Sequence, residues 1–175
     1  FAHVTFFFNG LVEKYENEDH IILEKTDHPD EHPEMHSQKL ASTILEELDK
    51  GNYDIIIANF PNTDIIAHTG NYQASIKAVE AIDSALSPVL SKVIELGGTM
   101  VLTADHGNAE SLTVTASGEM ATSHDKNPVH FFVIGTKYTL PPRDDQAIKM
   151  AKRKVGGILA DIAPTVLELM GIEKP

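Results

Sequence analysis

Four short runs of apolar, β-prone residues alternate along the chain with segments in which apolar residues recur every three or four positions. The runs contain few polar residues, which is typical of strands buried on both faces of a parallel sheet. The recurrence predicts helices that pack on such a sheet. We therefore expect an α/β fold with a mostly parallel sheet and helices on both faces. The predicted strands are residues 4–8, 53–58, 99–103 and 129–134, and the predicted helices are residues 37–50, 72–96 and 161–170.

Capping and turn residues set the expected boundaries of the helices. Ser37 is placed to cap the first helix, and Gly51 is placed to end it. Pro88 lies inside the second helix and should kink or split it. Asp161 is placed to cap the last helix, and residues 158–160 just before it predict a short strand.

The composition limits what this chain binds. It has 14 basic and 26 acidic residues and a net charge of −12, which argues against nucleic acid and anionic membrane surfaces as partners. It has no cysteine, so it has no disulfide framework and no thiolate zinc site, which fits a cytoplasmic protein. No apolar run approaches the length that spans a membrane. The length predicts one domain, residues 1–175, with a sizeable core.

Carboxylates and histidines accompany the predicted strands at three places. Asp64 and His68 come after the second strand, Asp105 and His106 come directly after the third, and His124 precedes the fourth. Ligands of open α/β sheets bind beyond the carboxyl ends of the strands, so we expect these side chains at one rim. The spacing of Asp64 and His68 places both on the same side of a helical turn. Because carboxylate and imidazole donors together suit manganese, zinc or iron, we predict a metal site.

Some of these features have plainer interpretations. Taken singly, Asp105 would more often cap a helix, His68 would more often lie on a helix surface, and His124 carries little information. The stretch "HPDEHPEMH", residues 28–36, is rich in acidic and imidazole groups. It is broken by proline and has no strand to fix it, so we expect a solvated loop there. Asn9-Gly10 predicts a plain turn.

Several blocks of sequence resemble one enzyme family. They are "HVTFFFNG", "NTDIIAHTGNYQASIKAVEAID", "LTADHGNAE", "TSHDKNPV" and "LADIAPTVLELMGI", and they follow one another along almost the whole chain. Together they resemble the cofactor-independent (2,3-bisphosphoglycerate-independent) phosphoglycerate mutases of the alkaline phosphatase superfamily. The resemblance implies an alkaline phosphatase-like fold that is incomplete here, because it covers only the C-terminal part of the metal-binding phosphatase domain. It also implies that the N-terminal segment and the substrate-binding domain are absent.

The same resemblance implies two manganese ions. Asp64, His68 and His124 match the ligands of one ion, and Asp105 and His106 match two ligands of the other. The first site would be complete in this chain and the second incomplete. The nucleophilic serine and the catalytic lysine of the family have no counterpart here, so no residue is assigned a catalytic role and the substrate-binding residues are unknown. We expect the intact glycolytic enzyme to interconvert 3-phosphoglycerate and 2-phosphoglycerate through a phosphoserine intermediate, and this chain to be inactive alone.

Two other interpretations fit the ligand pattern. One is another member of the superfamily, such as a phosphohydrolase or a phosphopentomutase. The other is a non-enzymatic module that binds a metal or a partner. The residues "NAE" after "DHG" and "SIKAVEAID" after "HTG" favour the mutase. A sheet that lacks its N-terminal strands would expose an edge, so we also expect self-association.

Overall fold

Helices form most of the regular structure in this computed structural model, which describes residues 2–112, 123–138, 144–146, 149–150 and 155–173. Short 3₁₀ turns and a small sheet complete it. The α-helices are α1 (Ser37–Lys50), α2 (Asn62–Ala67), α3 (Tyr72–Glu95) and α4 (Ile162–Leu169). The 3₁₀ turns are Ala2–Val4, Ala109–Ser111, Thr136–Tyr138 and Leu159–Asp161.

The chain divides into two units by its internal packing. The first unit comprises residues 1–89 and 108–123, and the second comprises residues 90–107 and 124–175. Asp64 and His68 belong to the first unit, whereas Asp105, His106 and His124 belong to the second. Two of the predicted ligands therefore lie in the first unit and three in the second.

The first helix has the predicted length, but its N-terminal cap differs from the prediction. Gly51 ends α1 in the left-handed conformation, with φ 64°, and its N–H donates to the carbonyl of Glu47. His36 occupies the N-cap position, and Ser37 is the first helical residue. The Ser37 side chain is 2% exposed. The prediction that Ser37 caps α1 is therefore wrong, because its side chain lies in the packed interior.

The long helix α3 continues past Pro88 without a break. A proline removes one backbone N–H, and the other hydrogen bonds of this 24-residue helix keep it continuous. Ala74, Ala78 and Val89 lie on its buried face, whereas Val79 is 51% exposed. No helix in the described part of the chain has both the length and the apolar character needed to cross a membrane.

The sheet belongs to the second unit and is smaller than predicted. Strand β1 (Met100–Thr103) pairs with β2 (Phe131–Ile134), and the pairing is antiparallel, with Met100 opposite Ile134. Within the described residues this two-stranded sheet is the only one. The predicted strands 99–103 and 129–134 are confirmed in shortened form. The predicted parallel arrangement is not confirmed, because the two strands that form here run in opposite directions.

The other predicted strands are wrong. Residues 4–8 continue from a 3₁₀ turn into further turns, where the N–H of Asn9 donates to the carbonyl of Thr5 at 2.8 Å. Residues 55–61 have no regular secondary structure, and Leu159–Asp161, in place of the predicted strand 158–160, is a 3₁₀ turn. Apolar, β-prone residues form a strand only when a neighbouring strand takes up their backbone hydrogen bonds, and none does so here among the described residues.

The Asp161 side chain accepts a hydrogen bond at the start of the last helical region. Its Oδ2 accepts a hydrogen bond from the N–H of Ile158 at 2.8 Å. This contact caps the 3₁₀ turn that leads into α4, not α4 itself. The helix ends at Leu169, one residue before the predicted end at residue 170, and Gly171 follows with a φ of 72°.

Candidate metal centre

A single turn of helix brings Asp64 and His68 together. Asp64 lies in the first turn of α2, and His68 follows directly after the last helical residue. The spacing of four residues places both side chains on the same side, as predicted. His68 Nε2 lies 3.3 Å from Asp64 Oδ1, and the two side chains are 43% and 39% exposed. The pair is therefore preformed and accessible to a ligand from solution.

Buried residues of α2 hold this pair in place. Ile66 and Ala67 are fully buried, and Ile66 packs in an apolar cluster with Ala74 and Ala78 of α3. Asn62 is 1% exposed, and its Nδ2 donates to the carbonyls of Pro33 and Glu34 at 2.9 and 2.8 Å. Both amide protons of Asn62 are thus used to attach the start of α2 to a distant loop.

Asn108 is a further site residue that the sequence interpretation missed. Its Nδ2 donates to Asp64 Oδ1 at 2.8 Å, and the residue is 3% exposed. Its own backbone N–H donates to Glu110 Oε2 at 3.0 Å. The contact joins positions 44 residues apart in sequence, so no local periodicity could have predicted it. The sequence did contain a signal for Asn108 in the "NAE" block, residues 108–110, but that block was used only to favour one enzyme family.

In the second unit, the end of β1 brings three more predicted ligands together. Asp105 and His106 follow the strand in an irregular segment, with His106 Nε2 3.5 Å from Asp105 Oδ1. The rings of His106 and His124 stack with their centroids 3.6 Å apart and their planes 18° apart. The N–H of Asp125 donates to the carbonyl of Gly107 at 2.8 Å, which joins the segment of His106 to that of His124.

The donor sets in both units suit a divalent transition metal. Two donors bound tetrahedrally at about 2.1 Å from one ion lie about 3.4 Å apart. The Asp64–His68 and Asp105–His106 pairs, at 3.3 and 3.5 Å, match this separation. Carboxylate oxygen and imidazole nitrogen are donors that manganese, zinc and iron accept. The residues present therefore fit a metal in each unit.

The histidine and acidic side chains of the loop at residues 28–36 are exposed to solvent, as predicted, whereas Pro33 is buried. His28, His32 and His36 are exposed, as are the acidic residues between them. Within the loop, His32 Nδ1 lies 3.5 Å from Glu34 Oε1, and both side chains are about 60% exposed. An exposed pair of this kind contributes little to stability and gives no fixed ligand geometry.

The predicted turn at Asn9-Gly10 is also confirmed, and it anchors an acidic side chain. Gly10 has a φ of 65°, and Asn9 Nδ2 donates to both oxygens of Glu18 at 2.9 and 2.7 Å. The backbone N–H of Tyr15 donates to Glu18 as well. These hydrogen bonds, with that from Tyr15 the largest, lower the pKa of Glu18 to about 2. This cluster contains no predicted metal ligand.

Comparison with known proteins identifies the family of the chain. Residues 1–174 match the family model of the metalloenzyme superfamily. The 2,3-bisphosphoglycerate-independent phosphoglycerate mutase of Clostridioides difficile (strain 630) is 42% identical over 178 residues, covering 100% of this chain and 33% of that protein. The same enzyme from Clostridium kluyveri is 43% identical with the same coverage, and that from Escherichia coli O9:H4 (strain HS) is 42% identical, with 32% of it covered.

A solved structure gives the same result for the fold. A crystal structure of Leishmania mexicana phosphoglycerate mutase at low cobalt concentration matches with a TM-score of 0.79 and 30% identity, covering 100% of this chain and 34% of that one. The chain thus spans about a third of the length of the relatives it matches. These matches confirm the resemblance found in the sequence. The chain belongs to the metalloenzyme superfamily, and the relatives that it resembles are phosphoglycerate mutases.

Proposed function

We propose that this chain is the metal-binding part of a 2,3-bisphosphoglycerate-independent phosphoglycerate mutase, in which it serves the interconversion of 3-phosphoglycerate and 2-phosphoglycerate. The observation that carries the proposal is the similarity to such mutases over 100% of the chain at 42% identity. The geometry supports it, because Asp64 and His68 in the first unit, and Asp105 and His106 in the second, each bring a carboxylate oxygen and an imidazole nitrogen to 3.3 and 3.5 Å of each other. In this proposal, the whole enzyme acts in glycolysis and in the cytoplasm.

The residues have separate roles in this proposal. Asp64, His68 and His124 hold one manganese ion, and Asp105 and His106 provide two ligands of a second. Carboxylates supply the negative charge that offsets the metal, and imidazoles add directional ligation without overcharging the site. When bound, such ions supply positive charge that neutralises phosphate oxygens and lowers the pKa of a nucleophilic hydroxyl. This chain's residues fix where that charge lies.

The proposal assigns this chain no nucleophile. The phosphoserine intermediate of the reaction needs a serine, and none of the residues matched to the family within this chain is that serine. We therefore expect no mutase activity from the chain alone. A ³¹P NMR assay with 3-phosphoglycerate and Mn²⁺ tests this expectation: formation of 2-phosphoglycerate above the level of a His68→Ala control would overturn it.

A phosphohydrolase or a phosphopentomutase of the same superfamily is the second candidate. The match to the metalloenzyme superfamily model fits a phosphoglycerate mutase, a phosphohydrolase and a phosphopentomutase alike. The names of the relatives favour the mutase. A non-enzymatic metal-binding module would share the metal site but would give no activity when the chain is part of a longer protein.

Calorimetric titration of Mn²⁺ tests the metal assignment directly. We expect about one site per wild-type chain, lost in His68→Ala and retained in His32→Ala. His32 is the matched control because it is an exposed histidine in the solvated loop. Zn²⁺ titrated in parallel would show which ion the site prefers. Absence of binding by the folded wild-type chain, or equal loss in both variants, would refute the ligand assignment.

We also propose that the chain self-associates through an exposed sheet edge, with a second copy of this chain as the partner. Phe8 and Ile55 are 58% and 44% exposed, and neither lies in a strand. In the described residues, β1 and β2 each pair with one strand only, so each keeps an open edge. Sedimentation velocity at rising concentration should show dimers or larger species, and Ile55→Lys should shift them toward monomer. A monomer at all concentrations would contradict the proposal.

A further inference from the structure

The "NAE" block lies against a predicted metal ligand in the first unit. Asn108 donates from Nδ2 to Asp64 Oδ1 at 2.8 Å, and Glu110 accepts the backbone N–H of Asn108 at 3.0 Å. The 3₁₀ turn Ala109–Ser111 follows directly. We propose that Asn108 is a positioning residue that orients the Asp64 carboxylate for metal binding, an inference that rests on the proposed metal site.

Chemistry fixes the direction of this hydrogen bond. An ionised carboxylate only accepts hydrogen bonds, so the amide NH₂ of Asn108, and not its oxygen, must face Asp64. The carboxylate oxygen that receives this bond also lies 3.3 Å from His68 Nε2. Asn108 therefore restricts rotation of the Asp64 carboxylate on the side where His68 lies. Hydrogen bonds that orient metal ligands in this way commonly change metal affinity by 10–100-fold when they are removed.

The burial of Asn108 indicates that this residue positions Asp64 and does not serve packing alone. The residue is 3% exposed, and its Oδ1 is buried with no hydrogen-bond partner among the described residues. A buried amide oxygen without a partner lowers stability, so packing alone would favour an apolar side chain of similar size. Asn108 is thus poorly explained by folding and well explained by its contact with Asp64.

The test is a pair of variants at position 108, with metal affinity and stability measured separately. Asn108→Leu keeps the number and branching of the side-chain heavy atoms and removes the donor, and Asn108→Ala removes both the branched group and the donor. Asn52→Ala is the control, because Asn52 is an exposed asparagine in the same unit. Mn²⁺ affinity is measured by calorimetry, the coordination geometry by the visible absorption of bound Co²⁺, and the melting temperature of the metal-free chain by circular dichroism.

We expect Asn108→Leu to bind Mn²⁺ 10–100-fold more weakly, with an altered Co²⁺ spectrum and a metal-free melting temperature that is unchanged or higher. Wild-type affinity and spectrum in a folded Asn108→Leu would overturn the inference while leaving the proposed metal site intact. Failure of the wild-type chain to bind any metal would overturn both.

A measurement on the unsubstituted chain covers the case in which both variants fail to fold. The side-chain NH₂ of Asn108 should show slow hydrogen exchange in the NMR spectrum, and it should stay protected when diamagnetic Zn²⁺ is added. Loss of that protection on addition of Zn²⁺ would mean that the metal displaces Asn108 from Asp64. That outcome would also overturn the inference.

Discussion

Replacement of Asn62 by alanine should destabilise the first unit more than any change to an exposed asparagine. The side chain is 1% exposed and donates two hydrogen bonds, one to the carbonyl of Pro33 in a buried environment and one to that of Glu34 in a partly buried one. Loss of the first leaves a buried acceptor unsatisfied, at about 1–3 kcal/mol, and loss of the second costs about 0.5–1.5 kcal/mol. The expected decrease in the free energy of unfolding is about 2–4 kcal/mol.

The assay is urea and thermal unfolding followed by circular dichroism. For a chain of this size, about 2–4 kcal/mol corresponds to a decrease in melting temperature of roughly 5–15 °C. Asn52→Ala, the exposed control, should change the free energy of unfolding by less than about 0.5 kcal/mol. Asn62→Asp, which keeps the size but turns carboxylate oxygens toward the two carbonyls, should be at least as destabilising as Asn62→Ala. A loss below about 0.5 kcal/mol in Asn62→Ala would refute the argument that these bonds anchor α2.

Three further predictions follow from other parts of the chain. The Glu18 carboxyl, which accepts hydrogen bonds from Tyr15 and Asn9, should titrate by NMR at a pKa of about 2 instead of 4.5. Because the pKa of Glu18 is lowered in the folded chain, its contribution to stability is complete above about pH 4.5 and is lost as the pH falls toward 2. Glu18→Gln should remove this pH dependence. Gly51→Ala should cost about 1 kcal/mol in urea unfolding, because φ is 64° although no atom blocks the added Cβ, and an unchanged midpoint would contradict this. His124→Ala should weaken Mn²⁺ binding as much as His68→Ala, and wild-type affinity would exclude His124 from the first site.

Local sequence signals predicted α1, α3 and α4 well, did not predict α2 as a helix, and predicted the strands poorly, for a physical reason. The bounds of α1 were predicted correctly, because a helix satisfies its hydrogen bonds within its own segment and Gly51 supplies the end. A strand satisfies its hydrogen bonds through another segment, so residues 53–58, with strong β propensity, form no strand where no neighbour pairs with them among the described residues. For the same reason, the local sequence did not predict the roles of Asn62 and Asn108, since their hydrogen-bond partners lie 28–44 residues away.

The placement of the metal ligands depends less on the sheet than the sequence argument assumed. The sequence predicts Asp64 and His68 at the carboxyl edge of a parallel strand, yet no strand precedes them in the described structure. A single helical turn pairs them, and buried Ile66 and Asn62 fix that turn. Asp105 does follow a strand, but that strand is antiparallel to its neighbour. Because the α2 turn and the hydrogen bond from Asn108 hold Asp64 and His68, we expect metal binding to be more sensitive to substitutions in α2 and at Asn108 than to substitutions in the apolar run 53–58.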